Sequence, residues 1–439
     1  MKISLPQPLV LLLGGVALSA ALTWILPAGQ YQRRLDPISG REVVVAGSYA
    51  PVEAAPVGPA QAVLAVPRGI VAGIEVILVV LFVGGAFALL EATGALGRLV
   101  GSLVGRTRRP RGVVVAVSLA FASLGALEGM HEEIIAMIPV LLVLSRGLGF
   151  GAVTAMAMSA GVAVVGSTFG PTNPFQTGIA LQFAGITTLS QPVLRFGLLF
   201  ASVAVWIAWT VMMAPRDDVR PEVASGPGEP ATRRDALLLG LALLPFVPYV
   251  IGVLRFDWGF NELSALFLVG AFAIGLTAGL GWSGAAIQWL KGMEGMLAAA
   301  LLIGVARAMS VVLTDGRVLD TIVYGLAAPL AHVPGAVAGI LMVPVHAVIH
   351  VPVVSTSGQA VLTMPIMAPL ADLLGVSRDA AVIALQTGSG LMDMITPTNG
   401  ALLAMLFRAQ LPFGRWLRFA VPGALLVAVV GAVGVVLAG

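Results

Sequence analysis

No cysteine occurs in the 439 residues, which excludes disulfides, thiolate metal centres and cysteine nucleophiles. Charged residues make up only 10% of the chain, and the arginines are spread between apolar runs rather than gathered in a patch, so no nucleic-acid partner is expected. No G-x-x-x-x-G-K-[ST] loop is present, so ATP is not expected as an energy source within the chain. The segment HEEII at 131–135 lacks the second histidine of a zinc-protease helix. What is abundant is apolar: 58% hydrophobic residues, 53 glycines and 28 prolines, with a mean hydropathy of +1.00. Such a chain does not fold as a soluble domain. Its apolar runs are too long for barrel strands, which leaves an all-α polytopic membrane protein.

Runs of crossing length lie near 8–28, 70–92, 151–185, 194–214, 236–254, 263–282, 293–313, 376–406 and 416–437. The first follows Lys2 and has no small-residue cleavage site after it, so it reads as a helix rather than a signal peptide. Two further stretches, near 112–145 and 335–374, are interrupted by EGMHEE at 128–133 and STSGQ at 355–359. Each arm is short for a crossing, which predicts re-entrant helical hairpins. With the N-terminus inside, 15 of the 24 Lys and Arg residues fall on the inner side, 8 fall outside and Arg307 sits within a span. The positive-inside rule therefore predicts N-in, C-out.

The two halves repeat. At a constant offset of 226, Pro139, Gly149, Pro171, Thr172 and Asn173 match Pro365, Gly375, Pro397, Thr398 and Asn399. The expected organisation is a first half over 1–213, a cytoplasmic linker over 214–235 and a second half over 236–439. Five crossings between the copies would invert the second. Inverted repeats with broken helices in corresponding positions point to a carrier with a midplane substrate site.

The breaks are GSTFGPTNPFQTG at 166–178 and QTGSGLMDMITPTNG at 386–400. Proline removes a backbone donor and irregular backbone in lipid is costly, so both breaks must face protein or a watery cavity. Freed carbonyls and hydroxyls there suit a coupling ion, Na⁺ or H⁺, and the candidates are Thr168, Gly170, Pro171, Gln359, Asp393, Thr396 and Pro397. Helix N-termini suit a substrate carboxylate. The substrate candidates are Glu128, Gly129, Met130, His131, Glu132 and Glu133 at the first tip, Ser355, Thr356, Ser357 and Gly358 at the second, and Thr172, Asn173, Thr398 and Asn399 at the breaks. The first tip's acids could carry a proton, bind a cation or hold a basic substrate. His346 and His350 share a helix face but have no third ligand nearby in sequence, so hydrogen bonding is preferred over metal binding, and no metal or cofactor beyond the coupling ion is expected. Arg307 could meet a substrate carboxylate, pair with a buried acid or snorkel to the outer surface, and Glu75 reads as interfacial.

Together, LTWILPAGQYQR, EGMHEEIIAMIPVLL, NPFQTGIALQFAG, VPVVSTSGQAVLTMPIMAPLADLLGVSRDAAVIALQTGSG and ITPTNG resemble the YfcC branch of the C4-dicarboxylate anaerobic carrier (DcuC-like) family, in the ion transporter superfamily. The resemblance runs along essentially the whole chain. It implies an elevator-type fold, with two inverted repeats supplying hairpins and broken helices to a mobile domain against a homodimeric scaffold in the bacterial inner membrane. The Ser-Asn-Thr tips of sodium-dicarboxylate relatives correspond to Gly129, Met130 and His131, and to Ser355, Thr356 and Ser357. The second tip keeps hydroxyl character and the first is acidic, which favours an amino or cationic substrate over a dianion. The expected function is ion-coupled transport of a small carboxylate-bearing metabolite, such as arginine, ornithine, a C4-dicarboxylate or a short-chain acid. An intramembrane enzyme would have to build on Ser355 or Ser357 with His346 or His350 and would leave the repeat unexplained. A passive channel would conduct without saturation.

Overall fold

The computed structural model describes residues 7–35, 42–186, 190–213, 230–256 and 258–439. Most of the expected linker, together with Lys2, Arg41, Arg216 and Arg220, lies outside the described residues. Among those described, nine helices are long and apolar enough to cross a membrane. They bury very different shares of their apolar windows, from 28% for Pro8–Ile25 to 94% for Ala152–Phe183. The Ala152–Phe183 segment, which holds the first break, is thus enclosed on all sides, the one setting in which irregular backbone survives at membrane depth. Leu18, Trp24, Phe200, Leu426 and Val429 on other spans are exposed, as lipid-facing side chains are.

Membership of the nine differs from the sequence expectation in ways that local chemistry explains. Pro110–Glu128 has 19 residues, about 28 Å at helical rise, so the premise that each hairpin arm is too short to cross fails for this arm. The 376–406 run, expected to hold the second break, is not among the nine. It divides into Arg378–Leu385, a π-turn over Gln386–Gly390 and Gly400–Arg408. The run expected over 293–313 is the end of a 35-residue helix, Gly281–Asp315. The run near 70–92 is two helices, Pro59–Ala72 and Ile74–Ala92, parted at Gly73.

The chain is also not wholly α. Gly29–Gln30 pairs with Ala50–Pro51, and Arg33–Leu35 pairs with Glu42–Val44, both antiparallel. This small β excursion is pinned to the helix Leu319–Ala327 by an Arg33–Asp320 ion pair at 2.9 Å and by the Tyr49 ring stacked on Tyr324 at 4.1 Å. It also packs on the helix Thr356–Leu373. Burial with Asp320 beside it pushes the Tyr31 hydroxyl well above the usual phenol range.

The matched sequences fold alike in detail. Gly149 and Gly375 both take left-handed φ, +82° and +67°, where glycine carries no side-chain penalty. Each ends a helix through the same pair of bonds. Phe150 N–H donates to the Ser145 carbonyl and Gly149 to Arg146, while Val376 donates to Ala371 and Gly375 to Asp372. Both broken helices also carry a π-turn before the break, Ala157–Gly161 and Gln386–Gly390.

The first hairpin, Pro110–Glu128 with Ile134–Gly147, lies against the first broken helix by backbone contact. A Cβ on Gly125 would strike the Ala163 carbonyl, and one on Gly166 or Gly170 would strike Ala122 or Ala126. Residues 122 and 126 rise past 166 and 170 in the same direction, so helix and half-helix run parallel. The EGMHEE tip therefore arrives at the level of the break.

Candidate functional site

Gly129, at φ +70°, stops the helix Pro110–Glu128, and the chain turns through Met130 to Glu133 before Ile134–Gly147 begins. The turn is closed by the His131 N–H donating to the Glu133 carboxylate at 3.0 Å. Glu128 is 6% exposed and Glu133 4%. Among the described residues neither carboxylate oxygen of Glu128 has a hydrogen-bond partner. Met130 points into the core.

The second hairpin, Gly335–His350 with Thr356–Leu373, turns at Ser355, whose hydroxyl accepts from the Gly358 N–H at 3.2 Å and lies 3.3 Å from the Ser357 hydroxyl.

At the breaks, two asparagines perform the same task. Asn173 Nδ2 donates to the carbonyl and hydroxyl of Ser167, at 3.3 and 3.1 Å, and more weakly to the Gly125 carbonyl. Its Oδ1 caps the next half-helix by accepting from Phe175 and Gln176 N–H. Asn399 Nδ2 donates to the carbonyl and Oδ1 of Asp393, at 3.0 and 2.9 Å, and its Oδ1 accepts from Leu402 N–H. Each amide thus bridges residue i−6 to the following helix start, which holds the two halves of a broken helix at a set distance. Ser167 and Asp393 are equivalent by the 226-residue offset.

The carbonyls released at the first break are largely taken. Thr177 Oγ1 donates to the Gly170 carbonyl at 2.6 Å, and Gln386 Nε2 donates to the Thr168 carbonyl at 2.8 Å and to Thr177 Oγ1 at 2.7 Å. Gln386 is held in turn by Arg195, which is 2% exposed and paired with Asp379 at 2.7 Å. Arg195 is thus a buried link between the first and second halves. The Thr168 hydroxyl is buried without a partner among the described residues. Thr396 and Thr398 hydroxyls lie 2.7 Å apart, and Thr172, Pro397 and Gly358 are exposed.

Both tips and both breaks meet at one cavity of about 180 Å³. Of the sequence-selected residues, Glu128, Gly129, His131, Glu132, Glu133, Ser355, Thr356, Ser357, Asp393 and Asn399 line it. Met130, Thr168, Gly170, Pro171, Thr172, Asn173, Gly358, Gln359, Thr396, Pro397 and Thr398 stand outside the lining. Asn173, fully buried, acts by positioning Ser167, which does line the cavity. Sequence reasoning passed over Ser167, although its 226-residue match to Asp393 was available. Phe175 and Gln176, within the first break but not singled out there, also line the cavity, as do Val164, Val354 and Phe260, which carry no sequence signal of a site.

Arg307 enters the cavity from the helix Gly281–Asp315 and, among the described residues, forms no ion pair or hydrogen bond. The lining therefore holds four carboxyl groups, Glu128, Glu132, Glu133 and Asp393, against one arginine and one histidine. A solute with a carboxylate and a separate cationic group matches that distribution. No group of three or more His, Cys, Asp or Glu side chains arranged to hold a metal occurs among the described residues.

Residues 5–439 match the family model of the C4-dicarboxylate anaerobic carrier, DcuC. The chain is 28% identical over 467 residues to YfcC of Escherichia coli, named as a candidate basic amino acid antiporter, covering 94% of this chain and 92% of that one. It is 26% identical to an uncharacterized protein of Haemophilus influenzae, over 95% and 93% of the two chains. Among solved structures, the YdaH transporter of Alcanivorax borkumensis is similar with a TM-score of 0.45 at 19% identity, over 98% of both chains. MtrF of Neisseria gonorrhoeae, described as illuminating a class of antimetabolite efflux pumps, is similar with a TM-score of 0.42 at 16% identity, over 99% and 95%.

Proposed function

The chain belongs to the C4-dicarboxylate anaerobic carrier family, and from that premise we propose that it is an ion-coupled secondary transporter of a small amino acid with a cationic side chain. The observation that carries this reading is the single cavity joining both hairpin tips and both helix breaks, lined by the acids of the first tip and by Arg307, which has no partner among the described residues. Arg307 would receive the substrate carboxylate through a two-pronged contact, and Glu132 and Glu133, with Glu128 behind them, would receive the amino or guanidinium group. The name carried by YfcC agrees with the amino-acid half of this reading.

In the cycle we propose, the two hairpins and two broken helices move as one body against a scaffold built on Gly281–Asp315, Pro59–Ala72 and Ile74–Ala92. The second half is inverted relative to the first, and the scaffold forms a dimer in the bacterial inner membrane. Arg307 lies on the scaffold side and the acids on the mobile side, so a bound substrate would bridge the two. A ligand shifts the inward and outward populations only through differential affinity, and such a bridge supplies it.

Reconstitution into liposomes tests the reading. Saturable uptake or counterflow of arginine or ornithine, exceeding that of aspartate, succinate, acetate and lactate, is the expected result under an imposed ion gradient. Flux that rises linearly with concentration would instead mark a channel, and preference for succinate would overturn the substrate assignment. Orientation has a direct test because the chain has no cysteine. Ala46 and Gly105 are both exposed, and with N-in, C-out topology Ala46→Cys should react with an impermeant maleimide in intact cells, whereas Gly105→Cys should react only after permeabilisation. The reverse pattern would overturn the orientation.

A further inference from the structure

Behind the second hairpin tip, a buried polar chain runs from the cavity into the hairpin. Asp393 Oδ1 lies 2.9 Å from His350 Nε2, His350 Nδ1 lies 2.9 Å from Gln359 Oε1, and Gln359 Nε2 donates to the His346 carbonyl at 2.8 Å. Both histidines and Gln359 are fully buried. Only the NH₂ of an amide can donate to a carbonyl, so the His346 contact settles which end of Gln359 is nitrogen. Its oxygen therefore faces His350, and because that oxygen only accepts, His350 Nδ1 must carry a hydrogen.

This leaves Nε2 aimed at Asp393. A neutral His350 would set a lone pair against a carboxylate oxygen at hydrogen-bond distance, a repulsive contact. The 2.9 Å approach requires one more proton, held on Nε2 or on Asp393. Oδ1 also accepts from Asn399 at 2.9 Å, and Oδ2 accepts from the Thr356 hydroxyl at 3.2 Å, which fixes the carboxylate and leaves one acceptor site on Oδ2. The contact as it stands is the protonated form of a two-residue unit, and removing its proton must open it.

We propose that the His350–Asp393 pair is the proton-binding site of the transport cycle, and that the coupling ion is H⁺. The inference rests on the transporter reading above and adds to it the ion, the residues and the order of events. Asp393 sits on the second break and faces the cavity. The other charged or titratable groups there are His131, Glu128, Glu132 and Glu133 on the first tip and Arg307 on the long helix, with His346 one turn before His350. When the proton leaves His350, Asp393 becomes a free carboxylate toward this cavity and the cationic end of a substrate can take the proton's place. Proton and substrate then compete for one carboxylate, the requirement for exchange. Gln359 is a positioning residue, because it dictates the tautomer that aims Nε2 at Asp393.

The protein has 4 histidines, few enough for ¹⁵N-histidine spectra of the whole chain in nanodiscs without any substrate. The expected result is one histidine, removed by His350→Gln, with both ring nitrogens protonated or sharing a proton with Asp393, and a signal that answers to pH. Asp393→Asn should convert it to a neutral Nδ1–H ring, since an amide NH₂ can then donate to Nε2. Gln359→Leu should let the neutral tautomer switch, which a merely packing role would not do. In liposomes holding a pH-sensitive dye, substrate-driven proton movement should vanish in Asp393→Asn. A His350 that stays neutral across pH 5–9, or whose signal answers to Na⁺ and not to pH, would overturn the proposal. Because the spectra need no transport, a failed substrate panel would leave this result standing, and the two readings can fail separately.

Discussion

Replacing Arg307 with alanine should lower the apparent affinity for a carboxylate-bearing substrate by roughly 30- to 150-fold, the equivalent of a charge-assisted contact of about 2–3 kcal/mol. The side chain reaches the cavity from the long helix and has no partner among the described residues, so its removal orphans no acid and should leave the fold intact. That separates it from the ion pairs Arg195–Asp379 and Arg98–Asp235, in each of which one partner is buried and truncation of the other would strand a charge. Arg307→Lys should recover only part of the loss, because an ammonium cannot make the planar two-pronged contact. Uptake titrations in liposomes measure both variants. Equal affinity in wild type and Arg307→Ala would remove Arg307 from the substrate site.

The second large effect is expected at the paired asparagines. Asn173→Ala deprives Phe175 and Gln176 N–H and the Ser167 carbonyl of their partners, and Asn399→Ala does the same to Leu402 N–H and Asp393. A buried polar group left unsatisfied costs about 1–3 kcal/mol, so each variant should lose several kcal/mol of local stability, roughly, and transport with it. Their consequences should differ in kind. Asn399 also donates to Oδ1 of Asp393, so its loss should change the proton response of His350, whereas Asn173→Ala should leave that response unchanged. Thermal midpoints by size-exclusion survival, read beside the histidine spectra, would show the difference. Wild-type stability and flux in both variants would mean that the breaks do not depend on these amides.

Much of this site could be read in the sequence because a repeat at fixed offset records backbone requirements. Pro-Thr-Asn occurs twice because each broken helix needs a residue that can accept from a helix start and donate to the carbonyl six residues back, and asparagine can do both. Gly149 and Gly375 occur twice because both turns need left-handed φ. Ser167 was within reach by the same logic. Other features left no such trace. The run at 70–92 stays apolar across Gly73, so hydropathy could not find the junction. The start of Gly281–Asp315 is masked by GWSGAAIQWLKGMEG, whose polar residues lower hydropathy without ending the helix. The β pairs at 29–51 are two or three residues long and are held by Asp320 and Tyr324, nearly 300 positions away.

Composition and hydropathy by themselves determined that this chain is a helical membrane protein, and the offset of 226 determined where its helices break, because water-to-lipid transfer and backbone hydrogen bonding act on local sequence. Only the tertiary structure decided that the acidic first tip, the hydroxyl-bearing second tip and Arg307 share one cavity, and that His350 spends its two nitrogens on Gln359 and Asp393. Those residues lie 9 and 43 positions from it. No local pattern encodes such contacts, since the free energy of a buried polar network belongs to the partners that packing brings together.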